Sequence, residues 1–374
     1  MNGYADKRAI NFGPGPAKLP LDVLERAQRE LCCFEQTGLS VLEMSHRSTH
    51  YAEMNKVAES VFRRLLSIPN NYKVMFLQGG GTGQFSAVPL NLLRGEKPVA
   101  DYIITGNWSN KAATEAKKYL SVNYVFPKPD KFTTIPDRSE WKLTPGASYV
   151  YYCANETAHG IEFPFIPDTG DIPLVCDMSS NILTKEIDIS KFGVIIAGAQ
   201  KNIGSAGVTV VIAREDLIGK AHPLCPIILD YKVNADASSV YNTPPVYSVY
   251  IMKLVFEWIE QLGGPQAMEM NSKAKSGLIY SVVEEYNDVY FPTVEKPYRS
   301  RMNATFRIGS REGDAEVEQN FFSGAGKLNM ISLKGHRSVG GVRVSMYNAI
   351  TVEEVQCLAK FMKEFAVQHR QQKN

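Results

Sequence analysis

Cysteine is scarce in this chain. Six cysteines in 374 residues are too few for a disulfide framework, and only Cys32 and Cys33 are adjacent. No Cys-x-x-Cys pair and no Cys/His ligand spacing occurs, which argues against a structural zinc site; no metal is expected. The cysteines read as ordinary reduced thiols of a cytosolic protein. Long apolar runs are also missing, and no segment approaches the length of a membrane span. The opening "MNGYADKRAINFGPGPAKLP" lacks the apolar core of a signal peptide and the Arg/Ser-rich make-up of a transit sequence. A cytoplasmic location is therefore expected. The net charge is only +2, so the totals give no reason to invoke nucleic acid. There is no internal repeat and no low-complexity tract.

What is present is the composition of a soluble globular protein, with 44% hydrophobic and 21% charged residues. The length favours two domains. "NFGPGPAKLP" is too rich in Gly and Pro for regular structure and reads as an ordered arm or turn. "LDVLERAQRELCCF" and "YAEMNKVAESVFRRLLSI" have helical spacing. From Lys73 onward, strand-like runs ("YKVMFLQ", "DYIITG", "SVNYVF", "ASYVYYCAN", "IPLVCDMSS", "FGVIIAGA", "AGVTVVIA") are interleaved with helical ones. That alternation, with all-apolar strands, predicts an α/β domain around a largely parallel sheet. A long helical pattern over 245–261 is closed by "LGGPQ". Beyond it come a helix, two strands that look antiparallel ("RMNATFRIG", "GVRVSMY") and a final helix opened by Thr351. The expected division is an arm over 1–15 packing with the small domain, a large domain over 16–263 and a smaller α+β domain over 264–374.

Four features fall where strands of the α/β domain end, which is where such folds bind ligands. "LQGGGTGQF" lies between a strand and a helix. Its glycines let backbone approach an anion, the helix start supplies N–H groups, and Thr82 adds a hydroxyl. It is neither a P-loop nor a G-x-G-x-x-G motif, and it also suits tight packing alone. Asp177 ends an apolar strand in "LVCDMSSN", where a carboxylate needs a partner or opens a turn. Lys201 follows the next strand in "GVIIAGAQKNIGSAG". It is either an amine activated by desolvation or a side chain leaving for solvent. Trp108, in "TGNWSNKAA", either stacks on a flat ring or packs in the core. Anion cradle, carboxylate, amine and stacking surface are the partners that pyridoxal 5′-phosphate requires.

Taken together and in order, "NFGPGPAKLP", "EMSHRS", "FLQGGGTGQFSAVPLNL", "YYCANET", "VCDMSSN", "AGAQKN", "YNTPP" and "KGHRSVGGVR" resemble the phosphoserine aminotransferase family. That family lies in the class V branch of the fold-type I pyridoxal-phosphate enzymes, and the likeness spans essentially the whole chain. The resemblance implies Lys201 as the Schiff-base lysine and Asp177 as the partner of the pyridinium nitrogen. It implies Gly81, Thr82, Trp108, Thr157 and Gln200 as further cofactor contacts, with Asn242 and Thr243 reaching the cofactor phosphate of a partner subunit, and hence a homodimer with shared sites. It assigns Arg343 to the substrate α-carboxylate, and His46, Arg47, His336 and Arg337 to the distal anion. A guanidinium fork suits the carboxylate, and histidines near their pKa can take up a proton when a dianion enters. The implied reaction is 3-phosphohydroxypyruvate plus L-glutamate giving O-phospho-L-serine plus 2-oxoglutarate, ping-pong, in L-serine biosynthesis. Bacterial relatives often carry arginine at the position of Thr82.

Competing readings lead elsewhere. An alanine- or serine–glyoxylate-type aminotransferase would not need two His-Arg pairs. A desulfurase needs a reactive cysteine on a mobile loop, whereas Cys153 and Cys176 sit in strand-like runs. A nucleotide-binding module using residues 79–83 leaves Lys201 and Asp177 unexplained. A silent scaffold would not need Lys201, Asp177 and Arg343 intact.

Overall fold

Seven strands make the central sheet, in the order Tyr72–Leu77, Thr209–Arg214, Val194–Gly198, Leu174–Asp177, Val150–Cys153, Val99–Tyr102, Ser121–Tyr124. This computed structural model describes residues 8–373. The five strands from Val194–Gly198 to Ser121–Tyr124 pair in parallel. Thr209–Arg214 alone is antiparallel to both of its neighbours. The reason is connector length: only residues 199–208 separate it from Val194–Gly198, too few for a parallel crossover.

The sheet is buried on both faces because side chains alternate along each strand. Val74, Phe76, Tyr152, Ile195 and Ala197 face one core, while Met75, Leu77, Tyr151, Val194 and Ile196 face the other. Helices Thr49–Leu66 and Val246–Gln261 cover the first face, where the Phe62 and Phe256 rings stack at 4.7 Å. Helices Gly80–Leu92 and Asn107–Ala116 cover the second.

A separate apolar core forms around an antiparallel sheet of Tyr290–Pro292, Asn303–Ile308 and Val342–Ser345. The arm joins this part: Ile10–Asn11 pairs in parallel with Met330–Ile331, and Phe12 is fully buried in this separate core. Of the arm expected over 1–15, residues 1–7 lie outside the described residues. The helix Gly264–Glu285 links two of these cores, with Met268 in the core on the first face of the central sheet and Ile279, Val282 and Val283 in the separate core that also holds Phe12. Among the described residues, no helix is long and apolar enough to cross a membrane.

Candidate active site

Parallel strands present all their carboxyl ends at one edge, and the predicted residues follow from that edge. Asp177 is the last residue of Leu174–Asp177, paired in register with Ile196 on the neighbouring strand. Lys201 comes three residues after the end of that neighbour, Gly198. Asp177 is buried, and its Oδ1 accepts the Ser179 N–H at 2.8 Å. The Lys201 amine donates to Thr157 Oγ1 at 2.7 Å, across the strand between them. Desolvation is the largest influence on this amine and pulls its pKa below that of an ordinary lysine. Asp177, Cys153 and Glu156 pull the other way. Lys201 keeps partial exposure despite its dry surroundings, as an amine open to a cleft should. The arm closes on its stem: a Cβ at Gly15 would lie 3.1 Å from Lys201 Cγ.

Trp108 lies in the first turn of Asn107–Ala116, with its ring centroid 5.5 Å from the Lys201 amine. Lys111, one turn on, sits 4.6 Å from the same ring. The glycine-rich stretch starts the helix Gly80–Leu92 from Gly79, whose φ of 93° is in the left-handed region that favours glycine. The Gly83 N–H already bonds Gly79 O, and the N–H groups before it belong to the open first turn of the helix. A Cβ at Gly81 would come within 3.9 Å of Asp177 Oδ2, which places this helix start beside the carboxylate. Thr82 is exposed there. Gln200 follows Ala199 at the same edge, its carbonyl accepting the Ala17 N–H at 2.9 Å. Asn242 and the Thr243 carbonyl both hold Gln78, which precedes the glycines, at 3.1 and 2.8 Å. They therefore sit beside the residue that precedes the glycine loop, with Thr243 exposed.

From the smaller sheet, Arg343 reaches the same edge. It is buried, and its Nη1 donates to the Thr157 carbonyl at 3.3 Å. Its Nε has no hydrogen-bond partner among the described residues, so part of the guanidinium fork is unspent in a dry setting, and desolvation lowers its pKa. His336 is brought in by its loop. Its Nδ1 lies 2.7 Å from Ser338 Oγ and 3.5 Å from Asn107 Nδ2, and Asn107 also donates to Ser338 Oγ at 2.7 Å. Desolvation, then Arg343, Lys111 and Arg337, depress its pKa. Arg337 is exposed beside it. His46 and Arg47 are not gathered in: they sit in the turn before Thr49–Leu66, with Arg47 exposed, and no described contact links them to Lys201.

The model of the class-V aminotransferases matches residues 9–358. The chain belongs to that family. It is 53% identical to the phosphoserine aminotransferase of Drosophila melanogaster over 95% of this chain and 98% of that one. The solved phosphoserine aminotransferase from Bacillus circulans subsp. alkalophilus superposes with a TM-score of 0.93 at 41% identity, covering 97% and 99% of the two chains. A PLP-bound phosphoserine aminotransferase from Trichomonas vaginalis gives 0.91 at 41% identity, covering 95% and 100%. This chain is thus an aminotransferase with the fold of the fold-type I pyridoxal-phosphate enzymes.

In this class-V aminotransferase the donor set fits pyridoxal 5′-phosphate. A half-desolvated amine, a buried carboxylate, an indole and a helix start converge on one edge, and these are the partner groups that molecule requires. Sequence reasoning missed three residues that shape this edge. Glu156 is fully buried beside Thr157 and binds the backbone of Trp108. Tyr347, also buried, donates to the Pro14 carbonyl at 2.8 Å and accepts from Asn303, tying the arm to the smaller sheet. His159 packs edge-on to Phe132, and its own pKa falls to about 4 through burial and the nearby His336. A signal existed for Glu156 alone: a carboxylate in the apolar "YYCANET" needs a partner.

Proposed function

We propose that the chain transaminates 3-phosphohydroxypyruvate with L-glutamate, giving O-phospho-L-serine and 2-oxoglutarate in L-serine biosynthesis, with pyridoxal 5′-phosphate as cofactor. The observation that carries the reading is the Lys201 amine at the sheet edge, bonded to Thr157 and facing Trp108. Near-full-length relatives with this activity in their names support it. When bound, the cofactor acts as an electron sink for the carbanion at the amino acid's Cα.

The residues divide the remaining work. Lys201 anchors the cofactor and then moves the proton at Cα, which a desolvated amine does well because its pKa is drawn toward the working range. Asp177 holds a proton on the pyridine nitrogen. The N–H groups of residues 80–82, among them those of Gly81 and Thr82, would hold the cofactor phosphate together with Gln200. Trp108 would hold the cofactor ring by stacking, and Thr157 orients the amine. Arg343 offers its unspent fork to the α-carboxylate. His336 and Arg337 meet the distal anion, which carries about two negative charges in phosphoserine. Both substrates use one site in turn, so the kinetics are ping-pong.

The rest of the site is supplied by a homodimer. His46, Arg47, Asn242 and Thr243 make no described contact with Lys201 in their own chain and serve the partner's site. Support comes from an exposed apolar surface near Asn242: Leu224 is 80% exposed, Ile227 49%, Ile228 50% and Tyr241 49%. The chain divides into an arm over 1–15, a large domain over 16–263 and a small domain over 264–374, and it works in the cytoplasm.

The visible spectrum of the cofactor-loaded protein, before and after O-phospho-L-serine, tests the reading. A visible band that fades on addition supports it. A band indifferent to phosphoserine but bleached by alanine favours the alanine–glyoxylate type. A protein that never takes up the cofactor refutes it.

A further inference from the structure

Helix Asn107–Ala116 carries Trp108, yet its start has no ordinary local cap. The residue before it is Gly106, which has no side chain to offer. The N–H groups of Thr105 and Gly106 are met from within the turn by Ser109 Oγ, at 3.1 and 3.2 Å. Those of Trp108 and Ser109 are met from another element altogether. Glu156 Oε2 accepts the Trp108 N–H at 2.9 Å, and Oε1 accepts the Ser109 N–H at 2.8 Å and the Ser109 hydroxyl at 2.6 Å.

This arrangement is costly to build. Glu156 is 0% exposed, and a carboxylate taken out of water needs such donors to offset its desolvation. Burial raises its pKa, while the Ser109 and Trp108 donors lower it. The backbone has been cleared to admit it: a Cβ at Gly106 would lie 2.4 Å from Glu156 Cδ. A structural cap for a surface helix could be supplied by one local Ser or Asp. Here the acceptor is instead the residue immediately before Thr157, whose hydroxyl holds the Lys201 amine. One dipeptide thus fixes both the indole and the amine.

We infer that Glu156 is a positioning residue of the cofactor site, whose buried carboxylate fixes the Trp108 indole by holding the first turn of the helix that carries it. The inference rests on the proposal that this edge binds pyridoxal 5′-phosphate. Glutamine in its place keeps the shape and one acceptor oxygen but turns an NH2 toward the other donors. A backbone N–H then loses its partner, and the turn bearing Trp108 is free to shift.

The test is cofactor binding to apoprotein, read by absorbance and independent of turnover. Glu156→Gln is expected to raise the dissociation constant for pyridoxal 5′-phosphate roughly tenfold. In a Trp108→Ala background the same substitution is expected to change it by less than about threefold, because the residue through which Glu156 acts is gone. Equal losses in both backgrounds, or no loss in either, overturn the inference. If Glu156→Gln does not fold, Glu156→Asp keeps the charge but shortens the reach by one methylene, so the carboxylate can no longer hold both the Trp108 and Ser109 N–H groups. The expected loss is about threefold, again confined to the Trp108 background, and unchanged binding overturns the inference. Wild-type apoprotein that takes up no cofactor is a different outcome: it removes the cofactor reading itself.

Discussion

The Lys201 amine and the Thr157 hydroxyl, 2.7 Å apart, join two strand ends that are not neighbours in the sheet. The bond spans the strand ending at Asp177, so amine, hydroxyl and carboxylate share one small volume. Lys201 has partial exposure and forms no ion pair among the described residues. Removing it leaves the buried Asp177 carboxylate with its own Ser179 N–H donor at 2.8 Å. Lys201→Ala is therefore expected to keep the far-ultraviolet circular dichroism of the parent and to lose turnover by roughly a thousandfold or more, the scale of positioned acid–base catalysis. An assay of the folded variant at saturating cofactor decides it. Turnover near that of the parent would remove Lys201 from the proposed chemistry.

Two arginines near the site are set up differently, and they should fail differently. Arg343 is buried with an unpartnered Nε, whereas Arg337 is exposed on the loop beside His336. Arg343→Ala is expected to lower kcat/KM for phosphoserine and alanine by similar factors, since both carry the α-carboxylate. Arg337→Ala is expected to reduce phosphoserine about tenfold more than alanine, because a charge contact to the distal anion is lost only for the former. Measuring kcat/KM with both donors for each variant separates the roles. Parallel losses in Arg337→Ala would take that residue out of the distal subsite.

Much of this edge was legible because parallel strands announce themselves twice. Each apolar run gives a strand, and the polar residue after it gives a place at the carboxyl edge. Asp177, Lys201 and the glycines of 79–83 follow from that pattern, whereas Thr157 comes only from the family resemblance. The helix Ala315–Lys327 was not found: adjacent Phe321 and Phe322 and the glycines at 324 and 326 blur its period. Its cap was present in the sequence, since Asp314 Oδ1 accepts from Glu316 and Val317, but a lone Asp is too common to mark a helix. The antiparallel sense of Thr209–Arg214 needed loop length, not pattern. Tyr347 and His159 were invisible for another reason: their neighbours, Pro14 and His336, are brought in by the fold and stand far off in sequence.

Two glycine substitutions of the same kind should have opposite effects on stability. Gly106 has an extended backbone, so alanine there meets no conformational strain. Its Cβ, however, would lie 2.4 Å from Glu156 Cδ. The carboxylate cannot yield without breaking its bonds to Trp108 and Ser109. Gly106→Ala is expected to cost about 1–3 kcal/mol, the range of overpacking in a filled interior. Gly277 lies within helix Gly264–Glu285, exposed, with nothing near the position of its Cβ. Gly277→Ala is expected to stabilise by about 0.5–1 kcal/mol, from helix propensity and the unfolded chain. Denaturant unfolding of both variants beside the parent checks the pair; two changes of the same sign would contradict it.

His159 should make the protein sensitive to mild acid. Burial, aided by the charge of His336, lowers its pKa from 6.5 to about 4, and its Nδ1 has no partner among the described residues to compensate a proton. The folded state therefore resists protonation that the unfolded chain accepts. Between pH 6.5 and 4 the unfolded state binds more protons, so stability falls as the pH is lowered through that window and is level above it. The loss from this group is up to about 3 kcal/mol. His159→Gln has nothing to titrate there. The difference in unfolding free energy between parent and variant is expected to move in favour of the variant as pH drops from 6.5 to 4, and to be constant from 7 to 8. Denaturant melts of both proteins at pH 7.5, 6, 5 and 4 give that difference directly. A difference that does not change with pH would show that the His159 imidazole reaches solvent and titrates normally.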